Sequence, residues 1–248
     1  MKNSLIFIIC LMLSVAVIGQ TKTKSPAQEG QATSPIFTGT APAVANLNTG
    51  NSQYLNNYIF ENLICPKRAE ECCIEGTEIV QFTVTPEGKV NNFNIVNSIC
   101  PEIDKEVIRV LKTTNGKWLP AQEDGEYIAM KKEVTVLFGN CTASNFEKHF
   151  VQNATNYFEK GSKNLLVKNN PEKALKSFNE AIKYLPNDNC LLLVRGLCFY
   201  ELGDKESARK DFNRIKDLGG IAPDELTSNL TGLKGYTEMI HFFADSQD

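Results

Sequence analysis

Adjacent thiols are the most reactive pattern in this 248-residue chain. Cys72-Cys73 follows Glu70-Glu71, and vicinal cysteines can cycle between dithiol and disulfide when one is held as thiolate. The structural alternative gives each thiol a different disulfide partner, and Cys65, Cys72, Cys73, Cys100 and Cys141 are the candidates, clustered in one part of the chain. One or two bridges are expected among them, with connectivity open. Metal chemistry lacks its ligands: no Cys-x-x-Cys pair occurs, and neither His149 nor His241 has ligand-like neighbours. Two histidines leave little material for a triad, no Gly-x-Ser-x-Gly elbow is present, and Gly30, Gly39 and Gly50 form no phosphate cradle. Glu70-Glu71 and Glu102/Asp104 read as solvated faces and helix-dipole partners. The three Asn-x-Thr sequons, at Asn140, Asn153 and Asn229, read as chance in a bacterial chain. The expectation is a protein that is not an enzyme and takes no cofactor.

The next question is where such a chain works. A formal net charge of −3 and no run of Lys or Arg argue against nucleic acid as a partner. Met1-Lys2-Asn3, an apolar stretch from Leu5 to Ile18, and Val17 and Gly19 before Gln20 have the layout of a secretory signal peptide, assigned to residues 1–20. The apolar run is shorter than the roughly twenty residues of a spanning helix. An uncleaved anchor is the competing assignment, and a membrane partner enters only through this segment. Export to the periplasm or cell envelope permits disulfides. Cys10 leaves with the leader, and the odd number remaining of the eight cysteines implies a free thiol or an intermolecular bond.

Residues 21–51 are rich in Ser, Thr, Ala, Gly, Gln and Pro without apolar period, the composition of a flexible linker. From there the period changes repeatedly. Tyr54, Leu55, Tyr58, Ile59 and Leu63 recur at helical spacing up to Pro66. Val80, Phe82 and Val84 alternate with polar residues, Thr85-Pro86-Glu87-Gly88 is a turn, and Lys89 to Asn97 forms the second arm of a hairpin. Pro101 opens a helix with Ile103, Val107, Val110 and Leu111 on one stripe. Trp118, in Lys117-Trp118-Leu119-Pro120, is expected in the core rather than at an exposed hot spot. A last strand is predicted from Tyr127 to Phe138, with Ile128, Met130, Val134, Val136 and Phe138 apolar and Lys132 the exception. The resulting order, helix-strand-strand-helix-strand, predicts an α+β domain over 52–140 with a three-stranded antiparallel sheet and one helical layer.

The wording of this segment resembles the TonB C-terminal domain family in its Bacteroidetes-type form. The resemblance rests on Cys65-Pro66-Lys67-Arg68-Ala69, Ile74-Glu75-Gly76-Thr77, Phe82-Thr83-Val84, Pro86-Glu87-Gly88-Lys89-Val90, Ile103 to Val110, and Lys117-Trp118-Leu119-Pro120 in that order. It implies binding of a short extended segment of an outer-membrane receptor by strand addition at the open edge of the sheet. Carried over, that edge is the last strand, with Tyr127, Ala129, Met130, Lys131, Glu133, Val134 and Thr135 as the partner-binding residues. It also implies that strand exchange could give a homodimer.

After Asn140 the composition becomes helical with a 34-residue period. Ala174 matches Ala208, Phe178 matches Phe212, Asn179 matches Asn213, and Leu165-Leu166 align with Phe199-Tyr200. The segment resembles two tetratricopeptide repeats, about 155–188 and 189–220 within 150–220, an all-α helical-repeat domain. Pro223 and the stretch from Tyr236 to Phe243 supply capping helices over 221–248. The concave face of the repeats is expected to carry Asn156, Glu159, Lys163, Leu193, Leu197 and Tyr200.

A complete TonB-type transducer carries a Ser-x-x-x-His anchor helix and a long Pro-rich spacer. Here Ser14 is followed at that distance by Ile18, and the linker reaches at most roughly 100 Å. The sequence therefore points to a periplasmic protein-protein adaptor associated with outer-membrane receptor or transport systems. An energy-transducing component held at the inner membrane by an uncleaved N-terminus is the alternative.

Overall fold

A computed structural model of the chain describes residues 32–39, 51–67, 74–139, 146–220 and 230–244. The signal peptide expected at residues 1–20, Cys72, Cys73, Cys141 and the helix start expected at Pro223 lie outside the described residues. Those residues divide into two compact units, one ending at 139 and one beginning at 146. A small-sheet region is thus followed by a helical half.

In the first unit, Tyr54, Leu55, Tyr58 and Ile59 repeat on one side of helix α1 (Asn51–Asn62), and Leu55 and Ile59 are buried. The helix end is closed by its neighbour: Arg109 donates to the Asn62 carbonyl at 2.8 Å and Glu106 accepts from Ile64 N–H at 2.7 Å. The first contact satisfies one of the carbonyls that a helix C-terminus leaves without an intrahelical partner, and the second fixes the chain just beyond it. Strands β2 (Gly76–Val84) and β3 (Val90–Asn97) form the expected hairpin. Its turn needs Gly88, whose φ is +72° and where a Cβ would lie 2.5 Å from the Trp118 carbonyl oxygen. Helix α2 (Pro101–Lys112) begins at the proline and buries Ile103, Val107, Val110 and Leu111 against the sheet.

The segment after α2 departs from expectation. The predicted single strand from Tyr127 to Phe138 is interrupted at Ala129. Strand β5 (Ala121–Glu123) folds back on β6 (Glu126–Ile128), pairing Gln122 with Tyr127, and β7 (Met130–Phe138) then runs separately in the main sheet. The cause is Asp124-Gly125: φ values of +51° and +86° give the two-residue hairpin turn whose twist suits antiparallel strands. The main sheet has order β3-β2-β7, all antiparallel.

A second departure concerns the linker. Residues 32–39, within the expected flexible segment, carry strand β1 (Ile36–Phe37), which pairs with β4 (Trp118–Leu119). Phe37 is 1% exposed and joins the core beside Tyr58 and Trp118. Thr33 and Thr38 fasten the segment by bonds to Gln122 and Lys117. Two apolar residues sufficed to anchor a stretch whose composition otherwise forecasts disorder.

In the second unit, helix α3 (Phe146–Ser162) continues into a π-helical turn at Lys163–Val167. Helices α4 (Pro171–Tyr184), α5 (Asn189–Glu201), α6 (Lys205–Asp217) and α7 (Tyr236–Ala244) follow. Asn170, Asp188 and Asp204 each accept from the backbone N–H three residues on, so α4, α5 and α6 start with the same side-chain cap. Ala174, Phe178, Ala208 and Phe212 are all buried in one core. The repeat is carried by a glycine-phenylalanine contact. A Cβ at Gly161 would lie 2.5 Å from the Phe178 ring, and one at Gly196 would lie 2.5 Å from the Phe212 ring. Gly161 precedes Ala174 by thirteen positions whereas Gly196 precedes Ala208 by twelve. The π-helical turn lies within that longer interval, where it absorbs one additional residue. Of the residues aligned by the 34-residue period, Leu165 is buried and Leu166 exposed, while Phe199 and Tyr200 are both half-buried.

Candidate functional site

The two edges of the main sheet are not equivalent. Pairing of β3 with β2 is broken by two register irregularities, and Asn92 on β3 has φ +51°. A bulged, twisted edge accepts another strand poorly. Strand β7 keeps unbroken register with β2 from Gly76↔Phe138 to Val84↔Met130. Among the described residues no strand pairs with its outer side.

The register fixes which groups that outer side presents. Thr85 N–H donates to the Lys89 carbonyl and Thr85 C=O accepts from Gly88 N–H, so Thr85 directs its backbone toward β3. Successive residues of an extended strand alternate in direction. Val84, Phe82 and Val80 therefore direct theirs toward Met130, Lys132 and Val134, their partners in register. Those three residues of β7 are consumed by β2. Lys131, Glu133 and Thr135 are left to present N–H and C=O outward.

Alongside this edge is a cleft of about 210 Å³ lined by Leu55, Asn56, Trp118, Lys132, Glu133, Val134 and Thr135. Leu55, Trp118 and Val134 are each at most 5% exposed and belong to the core shared with Phe82 and Phe37. Trp118 is held from both sides: its Nε1–H donates to Thr114 Oγ1 at 2.9 Å, and Phe37 and Phe82 each lie 5.4 Å from it, centroid to centroid. Its core placement agrees with expectation, and it also walls the cleft. Lys132 is half-buried, and burial holds its ammonium below the usual lysine range. On the opposite sheet face, Gln81 Nε2 donates to Glu133 Oε2 at 3.1 Å.

Of the expected edge residues, Met130, Lys131, Glu133, Val134 and Thr135 lie on β7. Tyr127 belongs to β6 and Ala129 to the break, so neither extends the edge of the main sheet. Sequence reasoning missed Leu55, Asn56 and Lys132 as cleft residues. Only Lys132 gave a signal, as the charge interrupting an apolar alternation.

Beneath the far end of the sheet lies a buried carboxyl. Glu78, paired in register with Val136, is fully buried; Oε2 accepts from Ile99 N–H at 3.0 Å, and Oε1 has no hydrogen-bond partner among the described residues. Burial pushes its pKa up to about 8, with the Asp104 carboxylate adding to the rise.

In the helical unit, Asn156 and Glu159 are exposed on α3, Asn156 accepting from Gln152, and Lys163 is exposed in the π-helical turn. Leu193 and Leu197 are buried at 6% and 0% exposure, which removes them from any binding face: both fill the helix core. Tyr200 is half-buried, with Lys205 Nζ 5.2 Å from its ring centroid. A cleft between α6 and α7 has Phe212, Phe242 and Ala208 as floor and Lys205, Arg209, His241 and Glu238 as rim. No disulfide joins two described cysteines, and Cys198 is a buried thiol whose pKa is pushed up to about 12 by burial. Among the described residues no His, Cys, Asp or Glu cluster could hold a metal, and no helix is long and apolar enough to cross a membrane.

Residues 62–139, just under a third of the chain, match the family model described as Gram-negative bacterial TonB protein C-terminal. The match spans β2 through β7. No curated protein matches the chain.

Proposed function

We propose that this chain is a non-catalytic adaptor of the Gram-negative cell envelope, its TonB-type unit receiving an extended segment of a partner protein along β7. The helical unit, taken as tetratricopeptide repeats with a C-terminal cap, holds a second protein. The observation that carries this proposal is the regular outer edge of β7 beside a cleft floored by Trp118 and Leu55. Strand addition draws affinity from main-chain hydrogen bonds and specificity from pockets for alternate side chains, and both parts are present at this edge. The family match over residues 62–139 associates the unit with envelope transport, and outer-membrane receptor tails are the partner class this suggests. The leader expected at residues 1–20 is consistent with a periplasmic location.

The edge can be blocked without touching the core. Thr135 presents its N–H outward by the register argument, so Thr135→Pro deletes an outward donor while β2-β7 pairing is retained. Envelope extract passed over the wild-type chain should yield an outer-membrane partner that the proline variant loses. Equal recovery by both chains counts against the edge. Recovery of only the chain itself points to strand-exchanged dimers instead.

A further inference from the structure

Lys132 breaks the apolar alternation of β7 at the position where the strand faces the cleft. It stands in register with Phe82, between Met130 and Val134 on the same face, and shares the cleft with Leu55, Asn56 and Trp118. Each uncharged neighbour offers packing, and none offers a carboxylate. Among the described residues no acidic group lies within ion-pair distance of its ammonium. The adjacent Glu133 points to the other sheet face, where it is bonded to Gln81. A half-buried ammonium without a counter-charge is a cost to the isolated domain. Methionine or valine would restore the alternation and fill the same space.

We infer that Lys132 is the specificity residue of the cleft, and that the occupant of the β7 edge is an extended segment with an acidic side chain facing Lys132. The same segment places an apolar side chain two residues away over Val134, Trp118 and Leu55. The inference rests on the edge-binding reading above and adds to it the chemistry of the guest. Pairing along β7 puts every second guest side chain on the helix-facing side of the sheet, so one residue meets Lys132 and the next but one meets Val134. A carboxylate brought to Lys132 in the cleft forms a charge-assisted hydrogen bond, and a lysine there meets like charge. The discrimination lies as much in the rejected cation as in the accepted acid.

The test uses the full chain and fluorescent peptides of alternating valine and threonine in which each valine is replaced in turn by Glu, Gln or Lys. Anisotropy titrations are run with wild type, Lys132→Met and Lys132→Glu, with circular dichroism checking the fold of each. In wild type the best Glu peptide should bind roughly ten-fold more tightly than its Gln counterpart, and the Lys counterpart more weakly than either. Lys132→Met should abolish the Glu preference while retaining binding, and Lys132→Glu should transfer the preference to the Lys peptide. Equal binding of Glu, Gln and Lys peptides to wild type overturns the role of Lys132 and leaves the edge reading intact, provided Thr135→Pro weakens all of them. If none of the peptides binds wild type, the edge reading fails and takes this inference with it.

Discussion

Phe37 lies 5.4 Å from Trp118, ring centroid to ring centroid, although it is separated from it in sequence by a helix, a hairpin and a second helix. The segment that precedes α1 is therefore part of the first unit's core, and Phe37 supports the tryptophan that walls the β7 cleft. Removing a buried phenylalanine costs the transfer energy of the ring plus the cavity left behind. Phe37→Ala should destabilise this unit by about 3–5 kcal/mol, read as a lower urea midpoint of the Trp118 fluorescence transition. The same variant should weaken any β7 ligand because Trp118 loses its backing. An unchanged midpoint would mean that Phe37 packs only superficially.

Glu78 gives the same unit a pH signature. Its folded pKa is raised from 4.5 to about 8, chiefly by burial. The folded state therefore keeps a proton that the unfolded chain releases. The stability contribution is fully present below about pH 4.5 and is lost as pH rises through 8, with a slope approaching about 1.4 kcal/mol per pH unit in between. In Glu78→Gln this slope should vanish, so the difference between the two proteins' urea stabilities should shift steadily in the variant's favour from pH 5 to pH 8. Parallel curves would show that the carboxyl ionises freely in the folded state.

The sequence made some of this legible for identifiable reasons. The α2 stripe of Ile103, Val107, Val110 and Leu111 is a pure helical period, and each of those side chains is buried. Thr85-Pro86-Glu87-Gly88 fixed the first hairpin because its glycine must take positive φ. The second hairpin was equally encoded, in Asp124-Gly125, but an apolar alternation running through Ile128 and Met130 masked it. The cleft was not legible: Leu55 and Trp118 meet across the fold, and nothing local to either announces the contact. The glycine-phenylalanine repeat was hidden for a different reason. One extra residue in the π-helical turn puts Gly161 out of phase with Gly196, so a fixed 34-residue period passes over both.

That repeat contact can be tested directly. A methyl at Gly196 would approach the Phe212 ring to 2.5 Å, closer than packed carbons allow. Gly196→Ala should therefore destabilise the helical unit by about 1–3 kcal/mol. Phe212→Leu alone should also be destabilising through lost volume. The double variant should lose less than the two single costs combined, because leucine makes room for the methyl. Strict additivity in a double-mutant cycle would show that the two positions do not share the space.

Arg195 and Asp211 join α5 to α6 by a two-pronged ion pair, Nη2 to Oδ1 at 2.6 Å and Nε to Oδ2 at 2.9 Å. Asp211 is only 4% exposed. Burial raises its pKa, and the Arg195 guanidinium opposes the rise. Arg195 also lies over the Phe199 ring at 5.8 Å and reaches Asn179 on α4, so one guanidinium ties three helices. A buried pair of this kind contributes little net stability, because both charges have been taken out of water, yet breaking it leaves one charge stranded. Asp211→Ala should therefore cost about 3–5 kcal/mol. Arg195→Met combined with Asp211→Leu should recover most of that loss, since neither charge then remains to be solvated. Thermal unfolding of the two variants separates these outcomes: a double variant as unstable as Asp211→Ala would mean that the pair stabilises by attraction rather than by mutual neutralisation.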